Sequence, residues 1–305
     1  MNVQEALSNW DRSFHKSDKT KRAYTNGLKV FIAYLQEAGV RMDAPVGELK
    51  ADLFINFPAW IGGRYSKKSL GVYLSGVRSF LNWLTIQRKI ELTWSEGERL
   101  KMATREVQSK REVRLPRFPK RDDAQRMIDG VRAMAASHPV EKLRNIAIII
   151  LLASSGCRNE EITKLKVGEV NLEERSTTVI GKGNKERRVF FSHEAAQALR
   201  EYLAARDARD EQPLFVRHDQ GVGDRIEGVT TATIRDVVKA VANYVGLKQF
   251  SPHWFRHAYA IRVLEQTGNL ALVQDLLGHS DPASTRVYAK IYGDSMKSQY
   301  EKVFA

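Results

Sequence analysis

The chain has one cysteine, Cys157, in 305 residues. A single thiol excludes an intramolecular disulfide and a cysteine-built zinc site, and it suits a reducing cytoplasm. Long apolar runs are also missing. The longest, Ile146 to Ala153, is far short of the roughly 20 residues that span a bilayer, so a buried helix is expected there. The N-terminus lacks a basic-then-apolar leader, since Met1 to Trp10 carries one Glu and no Lys or Arg. No carboxylate cluster suited to a metal pair stands out, so neither metal nor other cofactor is expected. Repeats of 20–50 residues and low-complexity tracts are absent as well.

What is present is positive charge. The net charge is +13, with 49 Lys and Arg against 36 Asp and Glu, which favours a polyanionic partner. The excess is uneven: residues 1–104 carry a net +6, residues 105–121 a net +5, and residues 122–305 only +2. A merely solubilising surface would not need that asymmetry. No basic amphipathic helix with an apolar face left for lipid stands out, so nucleic acid is the expected partner and a membrane is not.

Hydrophobic periodicity predicts helices over 3–16, 19–38 and 50–61 and another from Ser66, the second carrying Tyr24, Leu28, Phe31, Ile32 and Leu35 on one stripe. Four such helices make a small all-helical domain, residues 1–104. Residues 105–121, REVQSKREVRLPRFPKR, contain Pro116 and Pro119 and show no sustained stripe, so they are expected to form an extended basic linker. Residues 122–305 form the second domain. In it, helices are expected at 122–136, 140–154, 193–207 and 230–245, with a short one from Arg158. The runs Thr177–Ile180 and Arg188–Phe191, separated by GKGNK, predict a β-hairpin. The expected class is mainly α with a small β-sheet.

Candidate chemistry lies at element boundaries in this second domain. Arg158 and Glu161 stand three apart, on one helical face. Lys182 sits in the hairpin turn. The stretch SPHWFRHAYAIRVLEQTGNLALVQDLLGHSDPASTRVYAKI supplies His253 and Arg256, His279 and Tyr288. Arginine forks match phosphate oxygens, histidine exchanges protons near neutral pH, and tyrosine can act as a covalent nucleophile.

The pieces SGCRNEEI, IGKGNKERR, SPHWFRHAYA and LLGHSDPASTRVY, in that order, resemble the tyrosine recombinase (phage integrase) family across the whole second domain. The helical first domain resembles the family's SAM-like core-binding module, and the second its α+β catalytic domain. Departures are small: Ser155 stands where the family often has Thr, and Ile162 where Leu is common.

The resemblance implies a site-specific DNA recombinase that breaks and rejoins double-stranded DNA through a covalent 3′-phosphotyrosyl intermediate, without metal, as a tetramer on paired sites. It is expected in the cytoplasm, with the nucleoid. Tyr288 is the implied nucleophile, with Tyr292, four residues on, its rival. Arg158 and Arg256 would clamp the phosphate and Lys182 would protonate the leaving oxygen. His253 and His279 would hydrogen-bond the phosphate, His253 also assisting deprotonation of the tyrosine, and Glu161 would hold Arg158 in place or form a plain helix salt bridge. Candidates for DNA contact are Lys19, Lys21, Arg22, Lys67, Lys68, Lys110, Arg111, Arg114, Arg117, Lys185 and Arg187, of which Lys185 and Arg187, with Arg188, flank the acid. The tail, with Met296, Tyr300, Val303 and Phe304 at helical spacing, either docks on a neighbouring subunit or folds back on its own. A type IB topoisomerase and a non-catalytic DNA-binding protein are the competing readings.

Overall fold

The computed structural model describes residues 1–15, 17–109, 118–135, 138–181, 185–218, 226–278, 288 and 304, without the side chains of Lys19, Lys67, Lys68, Gln108 and Ser109. The chain forms two compact units, Met1–Leu115 and Pro116–Ala305. As expected it is mainly helical, with one small sheet.

The first unit contains five α-helices among its described residues: α1 (Val3–Ser13), α2 (Asp18–Glu37), α3 (Ala51–Gly62), α4 (Lys67–Ile86) and α5 (Trp94–Ser109). The start of α1 is fixed by reciprocal bonds, with Glu5 N donating to Asn2 Oδ1 (2.7 Å) and Asn2 N to Glu5 Oε2 (2.9 Å). Trp10, Phe31, Phe54, Phe57, Phe80 and Leu84 fill the core, each at most 2 % exposed. The helices α2 and α4 pack backbone to backbone through two glycines. A Cβ on Gly76 would lie 2.6 Å from the Tyr24 carbonyl oxygen, and one on Gly27 would lie 2.9 Å from the Tyr73 backbone.

Helix α5 corrects the sequence expectation. Residues 105–109, expected as extended linker, are its last turn. Thr93 caps its start, its N–H donating to Glu96 Oε2 (2.8 Å) and its hydroxyl accepting from Glu96 N (3.3 Å). Leu100 and Val107 pack against the core, which holds the helix despite its weak stripe.

The second unit is built around α7 (Pro139–Ser155), whose residues Ala147 to Leu152 are almost wholly buried. Helices α6 (Asp123–Ala133), α9 (His193–Ala205), α10 (Thr231–Tyr244) and α11 (Pro252–Thr267) pack around it, and α8 (Asn159–Ile162) and α12 (Leu270–Leu277) complete its described helices. Thr230 caps α10 as predicted, its hydroxyl accepting from Thr233 N at 3.2 Å.

The sheet has the antiparallel order β1 (Val170–Asn171), β2 (Ser176–Ile180), β3 (Glu186–Phe190), with Thr177 opposite Val189 and Ile180 opposite Glu186. It therefore contains a short strand, β1, beyond the predicted hairpin, and β3 begins two residues earlier than predicted. Charge concealed that start. Of the residues Glu186, Arg187 and Arg188, Arg187 points inward to a carboxylate and Arg188 pairs with Glu174.

The glycine contacts give the first prediction. Gly71 and Gly76 both lie in α4, but a Cβ at Gly71 meets nothing within 4 Å. Gly71→Ala should stabilise the chain by about 0.5–1 kcal/mol through helix propensity. Gly76→Ala should destabilise it by about 1–3 kcal/mol through overpacking. Urea denaturation followed by tryptophan fluorescence separates the two outcomes.

Candidate active site

The chain leaves α7 through Gly156 in the left-handed region, φ 63°. Only a glycine fits, because a Cβ there would sit 2.6 Å from the Tyr259 ring and 3.0 Å from Leu277. Two residues later Arg158, in extended conformation, precedes α8. Its backbone N–H donates to Glu161 Oε2 and its Nη1 to Glu161 Oε1, each at 2.8 Å. Glu161 is buried while the Arg158 side chain is 36 % exposed, so one edge of the guanidinium is braced and the rest remains open to solvent.

The same carboxylate is held from the opposite side by β3. Arg187 Nη1 and Nη2 donate to Glu161 Oε1 and Oε2, both at 2.8 Å, the two-pronged geometry that suits guanidinium and carboxylate. Its Nε donates to the Leu276 carbonyl at 3.4 Å. This corrects the reading of Arg187 as a phosphate contact, for its side chain is 11 % exposed and its fork is engaged with Glu161. Burial alone would raise the Glu161 carboxyl. The hydrogen bonds from Arg187 and from the Arg158 backbone and side chain outweigh it and hold the group below the usual carboxylate value.

Arg256, on α11, is 1 % exposed. It donates to the Gly156 carbonyl through Nη1 and to the Leu277 carbonyl through Nη2, both at 2.6 Å. Burial, together with the like charges of Arg158 and Arg187, pulls its guanidinium down to about 10, so it stays charged at neutral pH. Three guanidiniums thus share one electrostatic neighbourhood with one carboxylate, Glu161, and the surplus is positive.

His253 lies one turn before Arg256. It is exposed, yet desolvation, and then the charges of Arg256 and Arg158, keep it below the ordinary histidine value. It is therefore neutral near pH 7 and able to accept a proton. Tyr288 is 2 % exposed and packs with Ala260, Leu264, Val273, Leu277 and Phe118. Its hydroxyl is hydrogen-bonded to His257 Nδ1 at 2.8 Å. Burial raises the phenol above its ordinary value, partly opposed by Arg256. The His257 ring stands edge-on to that of His253, centroids 4.4 Å apart.

The structure thus gathers Arg158, Glu161, His253, Arg256 and Tyr288, and adds Arg187 and His257. His257 went unselected in the sequence because it adjoins Arg256 in a helix where aromatic and histidine residues are commonly core. Its place four residues after His253, on the same face, was the available signal. Lys182 and His279 lie outside the described residues, as do Lys110, Arg111, Arg114, Arg117, Tyr292, Met296, Tyr300 and Val303. The ends of the hairpin turn are described, with Gly181 N donating to the Lys185 carbonyl at 2.8 Å. Lys185 is exposed. Phe304 is 72 % exposed.

In the first unit, Lys21, Arg22, Thr25, Asn26 and Lys29 line one face of α2. Arg22 is exposed, while Lys21 pairs with Asp11 at 3.1 Å. Lys19 is in the first turn of α2, and Lys67 and Lys68 open α4. Among the described residues no helix is long and apolar enough to cross a membrane.

Comparison with known proteins follows the same division of the chain. The phage integrase family model matches residues 121–293, and the model of the phage integrase N-terminal SAM-like domain matches residues 14–88. Tyrosine recombinase XerC of Pelobacter propionicus is 32 % identical over 291 residues, covering 94 % of this chain and 89 % of that protein. Tyrosine recombinase XerC of Histophilus somni is 31 % identical over 244 residues, 77 % of this chain and 75 % of the relative. Among solved structures, the XerH site-specific recombinase in a post-cleavage complex with its palindromic difH substrate aligns with a TM-score of 0.72 at 19 % identity, over 92 % of this chain and 78 % of that one. The Tn1549 transposon integrase in complex with transposon right end DNA gives 0.71 at 15 % identity, over the full length of both. At these identities the two structures support the fold alone.

The Glu161 cluster gives a pH prediction. Because its carboxyl is held below the usual range, the stabilisation from its arginine partners is complete above the unfolded value of about 4.3 and is lost as pH falls through the lower folded value. Glu161→Gln should be less stable by about 3–5 kcal/mol at pH 7, since it leaves Arg187 buried without its counter-charge. It should also lack the acid-side loss that Glu161 is expected to give the wild type. Urea denaturation across a pH series measures both.

Proposed function

The chain belongs to the phage integrase family, and from that premise we propose that it is a site-specific DNA recombinase of the tyrosine type, an enzyme that breaks and rejoins DNA strands by transesterification. The observation that carries the reading is the convergence of two arginines, Arg158 and Arg187, on one carboxylate, beside a buried third, Arg256, with a tyrosine hydroxyl bound to the residue that follows Arg256. A phosphodiester is an anion whose charge grows as it is attacked, and fixed positive groups in a partly dry site favour that change.

In the proposed reaction Tyr288 Oη attacks the scissile phosphorus. A bond forms between phosphorus and the tyrosine oxygen, the bond to the 5′ oxygen breaks, and a 3′-phosphotyrosyl link remains. Arg158 and Arg256 bind the non-bridging oxygens, with Glu161 keeping Arg158 in its extended pose. Lys182 gives its proton to the departing 5′ oxygen, and His279 donates a hydrogen bond to the phosphate. His253, neutral at working pH, accepts hydrogen-bond donation or takes the phenol proton. The phenol needs such help, because burial has raised it above its already basic value. At 2 % exposure the hydroxyl must also exchange its His257 bond for the phosphate before it reacts.

The bond energy stays in the phosphotyrosyl ester, so a strand end can reverse the step without a nucleotide cofactor or a metal. Exchange between two duplexes needs four cuts, which is why the working form is proposed as a tetramer on paired double-stranded sites, in the cytoplasm with the nucleoid. The net charge of +13 supports a DNA partner, with Lys19, Lys21, Arg22, Lys67, Lys68, Lys110, Arg111, Arg114, Arg117 and Lys185 proposed to touch phosphates. Such contacts set affinity and register, and do not specify sequence.

The test uses a nicked duplex containing a site selected by the protein from random-sequence DNA, so that cleavage traps the adduct. Wild type should form it undiminished in excess chelator. Tyr288→Phe should abolish it and Tyr292→Phe should retain it; the reverse result would move the nucleophile to Tyr292. Relaxation of supercoiled DNA without joining of two sites would indicate a topoisomerase, and binding with no adduct at all a non-catalytic protein.

A further inference from the structure

Among the described residues, three rings stand against the imidazole of His257. His253, one turn earlier on α11, meets it edge-on with centroids 4.4 Å apart. Phe118 meets it edge-on at 5.6 Å, and the Tyr288 ring lies tilted at 5.5 Å. Phe118 also packs against Tyr288 itself, with centroids 6.3 Å apart. Tilted and edge-on aromatic pairs at such separations attract one another beyond the area they bury. The bond between Tyr288 Oη and His257 Nδ1 at 2.8 Å completes the arrangement. The phenol is thus held at its hydroxyl by an imidazole and along its ring by a phenylalanine.

This place suits storage better than attack. A nucleophile must come within about 3–3.5 Å of the atom it attacks, and a phosphate reaches the protein from solvent. His253 is exposed in the first turn of α11, whereas His257 is half-buried one turn, about 6 Å, further along the axis. The hydroxyl is tied to the deeper of the two, on a side chain only 2 % exposed. Burial there favours the neutral phenol, and the opposing charge of Arg256 does not outweigh it. Phe118 connects the stored side chain to the incoming chain. It is half-buried, two residues after Pro116, where the second unit begins. The chain is pinned just beyond it, where Lys120 N–H donates to Asp123 Oδ2 at 2.8 Å at the start of α6. Just before it come Arg114 and Arg117, both proposed to touch phosphates.

We propose that His257 and Phe118 form an autoinhibitory clasp on the nucleophile, which opens when the basic chain ahead of Phe118 is drawn onto DNA. The inference rests on the recombinase reading and adds a control to it. Tyr288 is withheld until the segment proposed to lie on the duplex has engaged. Clasped and released forms are two states in equilibrium, and only the released one cleaves. A substitution that weakens the clasp therefore enlarges the released fraction and speeds cleavage in proportion. If the same contacts delivered the tyrosine to the phosphate, the substitution would slow cleavage instead.

The experiment uses the full chain as wild type, Phe118→Ala, Phe118→Leu and His257→Phe. Phe118→Leu keeps an apolar side chain without the ring, and His257→Phe keeps a ring without the acceptor. Single-turnover adduct formation on the nicked duplex should be about 3- to 10-fold faster for the Phe118 variants, the scale of one lost aromatic contact. It should be raised at least as much for His257→Phe, which leaves the clasped hydroxyl buried without its partner. A second readout does not depend on cleavage: a fluorotyrosine placed at position 288 and observed by fluorine NMR. In free wild type its resonance should be protected from a soluble paramagnetic reagent, and in the three variants it should be broadened. A duplex with a bare nick in place of the scissile phosphate, which binds but cannot be cleaved, should displace the wild-type resonance. Slower or unchanged cleavage in the variants would overturn the inference. So would a wild-type resonance that the reagent already broadens, or one that the uncleavable duplex leaves in place. Failure of both Phe118 variants to fold would also overturn it, leaving that ring a plain core residue. An absence of adduct from wild type, beside fluorine resonances that respond as expected, would instead overturn the recombinase reading itself.

Discussion

A carboxylate at 5 % exposure cannot keep its charge without partners, and the catalytic unit is arranged around how Glu161 obtains them. Two arginines separated by 29 positions of sequence meet on it, one from the turn after α7 and one from the hairpin. Replacing the carboxylate and its arginines together with well-packed hydrophobic side chains is often neutral for stability. Losing Glu161 would still release the backbone of Arg158 and detach the sheet from the short helix α8. The ion cluster is thus better understood as a way of fixing positions than as a source of folding free energy. Because three guanidiniums stand against one carboxylate, it leaves positive charge in excess where an anionic substrate is proposed to bind.

Much of this arrangement was legible before any coordinates. The helical stripes of the first unit, the buried character of Ile146 to Ala153, the hairpin at GKGNK and the Thr230 cap all follow from local rules that tertiary packing did not override. Helix α5 was missed because its stripe is thin, with Leu100 and Val107 seven residues apart among charged side chains. The Thr-x-x-Glu start at Thr93 and Glu96 is the local sign of this helix. Strand β1 is only two residues long and has no pattern of its own.

Residue types and order single out Arg158, Glu161, His253, Arg256 and Tyr288, which the fold brings together, whereas the direction of a side chain is not legible in the sequence. Nothing in the sequence says that Arg187 points inward and Arg188 outward, until strand alternation is anchored by the buried Val189. Likewise His257 becomes part of the site only once Tyr288, 31 residues later, is brought back against α11. Such long-range pairings depend on the closing of loops, about which local periodicity carries no information.

Arg256 differs from the other two arginines in a way that matters for the charge of the site. Its partners are carbonyls, one closing α7 and one closing α12. The end of a helix carries roughly half a negative charge, spread over its last peptide groups. Two such ends steady a buried cation without a carboxylate beside it. A carboxylate would neutralise the guanidinium outright and would repel any phosphate that approached. Peptide dipoles can hold it in place while much of its field still reaches outward. The two glycines in left-handed conformation, Gly156 and Gly278, stop the helices where their last carbonyls can do this. They therefore act on the electrostatic potential of the site as well as on its shape, although neither has a side chain to contribute.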